Sequence, residues 1–267
     1  STISKTELDA IENCLAQGGA ENAKMVLSYL QNLVMPDASF SRKRSEWFKK
    51  LSDVASSGTI NLDASLRWHD KYLGKATIIF YRTHYLAADT APIDALLEAL
   101  AQKGSASRSF MLTSLKDEAA LALLKTELAC NQPDIILDAT AFSAGNSLKN
   151  SAGSGSHPLA YLDVPILQVA LANMSLTDWQ ESKRGLSTSD MAMQVVLPEA
   201  DGRIFTRAIS FKAEGVLHEN LEYTRNFHQP EMGRVEYVAE LASAWVNLRK
   251  KKNSEKKIAL ILSDYPQ

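Results

Sequence analysis

The sequence predicts an α/β fold. A helical N-terminal segment, residues 1–73, precedes a domain over 74–267 whose mostly parallel sheet carries flanking helices, in open Rossmann-like or flavodoxin-like layers. Two observations carry this expectation. From Lys75 onward, short apolar runs of buried-strand type alternate with helical patterns, and strands separated by helices imply right-handed crossovers and parallel pairing. Before Lys75, apolar residues recur at helical spacing.

Each element follows in order. Leu8, Ile11 and Leu15 share one helical face, as do Val26, Tyr29, Leu30 and Leu33, with Gly18-Gly19 breaking the two helices apart. Trp47, Phe48, Leu51 and Val54 mark a third helix, which Ser56-Ser57-Gly58 ends. ATIIFY (76–81) is the first buried strand. The next helix starts near Thr90, with Asp89 or Thr90 as cap and Pro92 in its first turn, and stops at Gly104. SFMLTSL (109–115) is the second strand, and Leu121, Leu124 and Leu128 line the helix after it. IILDAT (135–140) and VPILQVALA (164–172) are the third and fourth strands. Between them, the Ser-, Gly- and Asn-rich stretch Ser143–Pro158 reads as a surface loop or a functional lid. Its AGSGSH has the wrong glycine spacing for a dinucleotide fingerprint.

A helix around Thr177 to Arg184 leads to MQVVLPEADGRIFTRAISFK, read as two short strands flanking a PEADG turn. A long helix spans Glu231 to Lys250, burying Val235, Val238, Leu241, Trp245 and Leu248. The cations of RKKKNSEKK suit that helix's end, and IALILS (258–263) is the final strand. The chain begins without methionine and stops just past that strand, so a fragment of something longer, with an incomplete α/β domain, is expected.

Composition removes several function classes. With 45% hydrophobic residues, a formal net charge of −2 and a pI near 6.2, the chain reads as globular and binds neither nucleic acid nor membrane. Cys14 and Cys130 lie far apart on apolar helical faces, which suggests buried thiols in a reducing compartment. Without a signal peptide or a membrane-length apolar run, a cytoplasmic location is expected. No G-x-x-x-x-G-K-[ST] loop occurs, so this chain should not itself bind ATP or hydrolyse it.

The candidate chemistry begins at YRTHY. If strand geometry persists past the first strand, Arg82 and His84 project to one side at its carboxyl end, where open α/β sheets bind ligands. Arg82 offers a donor fork for an anion, and His84 a nitrogen ligand or base. The plainer alternative is a surface arginine and a structural histidine. In PEADG, Glu199 and Asp201 place two carboxylates in one turn, although turn chemistry alone accounts for Asp201. Gln168 and Gln194 interrupt apolar strands, so each must bond to backbone or face a ligand. The remaining histidines, His69, His157, His218 and His228, read as scattered, with His157 in the flexible loop.

FYRTHYLAADTAPIDALLEAL, TSLKD, ILDATAFSA, DVPILQVALA, LPEADGRIF with AISFK, and KKIALILSDYP run in that order from Phe80 to Pro266. Together they resemble the CobN family, the large subunits of aerobic cobaltochelatase, and less closely the porphyrin-binding large subunits of magnesium chelatase, the H-type proteins. The first seventy or so residues carry no such motif. The resemblance implies part of an ATP-dependent enzyme that binds hydrogenobyrinic acid a,c-diamide and inserts Co²⁺ during cobalamin (vitamin B12) synthesis. Its implied partners are an AAA+ ATPase subunit and that subunit's companion (CobS and CobT), which use ATP and Mg²⁺, together with the rest of its own large subunit.

Carried over onto this sequence, the resemblance implies Glu199 and His84 as catalytic and metal-holding residues. It implies tetrapyrrole contacts from Arg82, Tyr85, Asp89, Ser143, Gln168, Gln194, Asp201 and Lys212. Imidazole and carboxylate suit Co²⁺, and a base near the ring must take up its N–H protons. Two departures stand out: Ala88 where relatives commonly carry the glycine of AGD, and Ala200 within PELDG. The alternatives are a magnesium chelatase H-like porphyrin metallation protein or a non-catalytic tetrapyrrole- or ligand-binding α/β module.

Overall fold

The computed structural model describes residues 3–34, 74–145, 157–218 and 222–262. Six strands form one sheet in the order β2-β1-β3-β4-β5-β6. They are β1 (Gly74–Tyr81), β2 (Ser105–Leu112), β3 (Ile135–Asp138), β4 (Ile166–Ser175), β5 (Ile204–His218) and β6 (Tyr223–Pro230). Every pair is parallel except β5–β6, which is antiparallel. The predicted α/β class and mostly parallel sheet are therefore what the chain forms, with helices α1 (Lys5–Gln17) and α2 (Ala20–Val34) ahead of it.

The strands are apolar on both faces because helices cover both. Alternation sends Ile78 and Phe80 to one side of β1 and Ile79 to the other. The first side packs on α4 (Ala91–Gln102) and α9 (Met232–Lys250) through Ile93, Leu96, Leu100, Val235 and Val238. The second packs on α5 (Glu118–Cys130) through Leu124 and Leu128. Local signals fix the helix starts: Pro92 opens α4, and the Asp117 side chain accepts from the Ala119 and Ala120 N–H groups to cap α5. The long β4–β5 ladder shifts register repeatedly, and the sheet curls until β6 meets α4.

Several expectations are corrected. The strand reading of MQVV fails: α7 (Thr188–Met191) runs through a π-helical turn at Ala192–Val196 into α8 (Leu197–Ala200). The reason lies in β4. Since β3 ends at Asp138, level with Gln168, β4 needs partners beyond that point, and side chains supply them. Gln194 accepts from the Leu171 N–H at 2.8 Å and donates to its C=O at 2.8 Å, while Asp190 accepts from the Asn173 N–H. A helix that delivers these groups takes the place of a strand.

The strand after PEADG is longer than read, and β6 was not anticipated. The expected strand at IALILS does not form: Ile258, Leu260, Ile261 and Leu262 stay 82–91% exposed. Cys14 is buried, but Cys130 is exposed at the end of α5, where the chain leaves the core. On α1 the buried face is Glu7, Ala10, Ile11 and Cys14, leaving Leu8 and Leu15 exposed. On α9, Leu248 is exposed and Val246 takes the buried place. The expected helix at Trp47–Val54, most of the Ser143–Pro158 loop and Glu219 lie outside the described residues.

Candidate functional site

The apolar run of β1 ends at Tyr81, and the chain turns at once into α3 (Arg82–Leu86). Arg82 and His84 therefore sit on a helical turn and not on a continuing strand, and their side chains part company. Arg82 Nη2 donates to the Gln17 carbonyl at 2.8 Å and reaches Ala16 O at 3.4 Å, satisfying acceptors left open at the end of α1. Tyr85 and Leu86 pack on Gly18 and Gly19, whose positive φ turns the chain from α1 into α2. A Cβ at either glycine would collide with those side chains. Arg82 and Tyr85 thus dock the N-terminal helices.

His84 faces a different set of groups. Asp89 follows Ala88, which holds the left-handed backbone (φ 50°), and its carboxylate is pinned to β6. Oδ1 accepts the His228 backbone N–H at 2.8 Å, and Oδ2 lies 2.8 Å from His228 Nδ1. A carboxylate can only accept, so this contact favours the Nδ1-protonated tautomer over the Nε2 one. That Nε2 is buried and has no hydrogen-bond partner among the described residues. An unpaired buried polar atom costs about 1–3 kcal/mol. The His84 ring meets His228 edge-on at 5.2 Å, with Nδ1 3.9 Å from Asp89 Oδ2. Lys212 Nζ, on β5, lies 3.2 Å from His228 Nδ1 and 3.9 Å from Asp89 Oδ2.

One atom from each of His84, Asp89 and His228 falls within 4.8 Å of the others. Burial, then the neighbouring His228, push His84 down to about 4, and burial also lowers His228. For Asp89, burial acts upward but is outweighed by the hydrogen bonds from His228, so the carboxyl sits below its usual range. At neutral pH the cluster is two neutral imidazoles and one carboxylate. Such a group is a poor proton acceptor but a ready set of metal ligands.

A second polar cluster is closed. Asp138, at the end of β3, meets His157 Nε2 at 3.1 Å and Arg203 Nη1 at 3.1 Å, all fully buried. Arg203 also reaches Asp201 Oδ1 at 3.2 Å, Gln168 Oε1 at 2.9 Å and the Phe142 carbonyl. Asp201 Oδ2 gathers the Ala144 and Gly145 N–H groups and the Ser143 hydroxyl. His157, expected in a flexible loop, is instead anchored here, because its ring completes the Asp138 carboxylate.

The structure thus brings His84, Asp89 and Lys212 together and adds His228, which had read as scattered. It gathers Ser143, Gln168 and Asp201 into the closed cluster, and Gln194 spends its amide on Leu171 and Asp190. Glu199 is exposed in α8, just ahead of β5, and is not among the groups around His84. Sequence reasoning missed His228, Asp138 and Arg203. The stretch TRNFHQ offered no signal for His228, since Phe227 is its one apolar residue.

The fold is a curled, mostly parallel α/β sheet, and its cluster of two histidines and one carboxylate has the donor chemistry of a metal site. Comparison with known proteins makes this specific. The chain belongs to the CobN/magnesium chelatase family, whose model, described as CobN/Magnesium Chelatase, matches residues 12–267. Among similar proteins is the aerobic cobaltochelatase subunit CobN of Sinorhizobium sp, 30% identical over 100% of this chain and 21% of that protein. CobN of Pseudomonas aeruginosa is 38% identical over 71% of this chain and 15% of its own length. The H-type subunit of magnesium chelatase from Cereibacter sphaeroides is 24% identical over 71% of this chain and 17% of that protein. A solved structure, the catalytic subunit of cobaltochelatase from Mycobacterium tuberculosis, shares the fold. It has a TM-score of 0.72 at 24% identity, over 96% of this chain and 20% of that one. The chain therefore spans about a fifth or less of these relatives. Among the described residues, no helix is long and apolar enough to cross a membrane.

Proposed function

We propose that this chain is part of a cytoplasmic cobaltochelatase large subunit that binds hydrogenobyrinic acid a,c-diamide and takes part in inserting Co²⁺, with ATP consumed by partner subunits of the CobS and CobT type. The observation that carries the reading is the donor set at His84, Asp89 and His228. Two imidazoles and a carboxylate suit Co²⁺, whereas Mg²⁺ favours oxygen ligands and keeps its waters. This supports the cobalt reading over the magnesium one, as does the fuller match to CobN proteins.

Metallation needs a cation held loosely enough to leave and a base for the ring N–H protons. His84 serves the first need, held neutral beside Asp89. Glu199, an exposed carboxylate, serves the second from a separate turn. The test uses the full-length subunit with its partners and ATP. Glu199→Gln should slow metallation by at least ten-fold, and an unchanged rate would remove Glu199 from the mechanism. Titration followed by tryptophan fluorescence should favour the corrin precursor, and preference for protoporphyrin would sink the cobalt reading.

A further inference from the structure

The geometry points to a three-ligand site for a divalent first-row cation formed by His84, Asp89 and His228, with Lys212 as a built-in counter-charge that keeps the cation exchangeable. The site itself stands on geometry. What the cation is used for rests on the function proposed above, and the ligand set differs from the pair the resemblance implied by adding His228 and Asp89 and leaving Glu199 out.

Three donors within 4.8 Å of one another can all lie about 2.8 Å or less from a common centre, and rotamer adjustment of under an ångström brings them to the roughly 2.0–2.2 Å of metal bonds. Three protein ligands leave further positions for water or for an incoming ring nitrogen, as in sites where a metal reacts and is not merely stored. Independent of the spacing, the two imidazoles are underused. His228 Nε2 is buried with no described partner, and no described group hydrogen-bonds the His84 ring. Asp89 fixes His228 through its backbone N–H and lies 2.8 Å from its Nδ1, so a cation taking the place of the proton between them would meet both groups. The His84 side chain is 16% exposed, and Asp89 also lines a cleft with Arg225 and Phe227.

Lys212 explains why such a site would release its cargo. Its ammonium, 3.9 Å from Asp89 Oδ2, already neutralises the carboxylate and repels a second cation. Removing it should therefore tighten binding, the opposite of what loss of a purely structural contact would do.

The experiment is a titration of this chain with Co²⁺ at pH 7.5, followed by calorimetry and by the visible ligand-field bands that coordinated Co²⁺ shows. One equivalent should bind, with affinity falling at least ten-fold in His84→Ala and in Asp89→Asn, and rising about ten-fold in Lys212→Met. His84→Ala alters a partly exposed side chain and keeps the test clear of folding defects, with far-UV circular dichroism as the check. Unchanged affinity in His84→Ala and Asp89→Asn, or no stoichiometric binding by the folded wild type, would overturn the site. If these variants lose Co²⁺ while the full-length subunit carrying them still chelates at the normal rate, the site holds and the proposed use of its metal fails.

Discussion

The two buried polar clusters of this sheet make a controlled comparison. Around Asp138, every charged group is answered: Arg203 spans Asp138 and Asp201, His157 completes Asp138, and Asp201 collects two backbone N–H groups. Around Asp89, the carboxylate is answered but the outward nitrogens of the two imidazoles are not. A closed network fastens chain segments together, here the residues after β3 to the start of β5. An open one retains capacity to bind, so the difference separates architecture from chemistry more sharply than residue type does.

The comparison breaks most visibly at Arg203. Arg203→Ala leaves Asp138 and Asp201 buried without their cation, and breaking a buried pair in this way costs about 3–5 kcal/mol. Urea unfolding should show that loss, whereas His84→Ala should cost about 1 kcal/mol or less, since its ring makes no described hydrogen bond. Similar losses from both substitutions would erase the distinction.

Much of this was legible in the sequence, and the gaps have physical reasons. Strands β1 to β4 announce themselves because burial on both faces gives them apolar runs. β6 does not: YTRNFHQP has most of its side chains exposed or half-exposed and no apolar run to betray it. Losing β6 meant losing His228, which reaches Asp89 only because the sheet curls across 139 residues of sequence separation. The arginine and histidine of YRTHY were visible as chemistry, but not that a helical turn would send one to dock helices and the other to a cluster. MQVV read as a strand because its valines fit one, and only the unpaired edge of β4 explains the helix that replaces it.

Acid sharpens the comparison next. His84 is held near 4 and His228 below its usual value, so on unfolding both take up protons that the native state refuses. Between pH 6.5 and about 4 the unfolded chain binds more protons, and stability therefore falls as pH falls through that window. The thermal midpoint should drop across this range, and His84→Gln should flatten the drop by removing one of the two groups. A drop of equal size in His84→Gln would place the acid sensitivity elsewhere. In nuclear magnetic resonance titrations the His84 ring should stay neutral down to about pH 4.

The smallest effect tests how Asp89 is presented. Ala88 sits at φ 50°, a conformation that costs a residue with a Cβ about 1–2 kcal/mol and costs glycine almost nothing. Arg225 holds the turn by donating to the Ala87 and Ala88 carbonyls, at 2.9 and 2.5 Å. The left-handed backbone is what turns Asp89 back toward β6, so the position calls for glycine even though this chain carries alanine. Ala88→Gly should raise stability by about 0.5–1 kcal/mol once the greater freedom of glycine in the unfolded chain is subtracted. Urea unfolding measures that gain, and Co²⁺ affinity should stay within two-fold because no ligand moves. A loss of stability instead would mean that the turn is not strained, and that the placement of Asp89 owes nothing to backbone geometry.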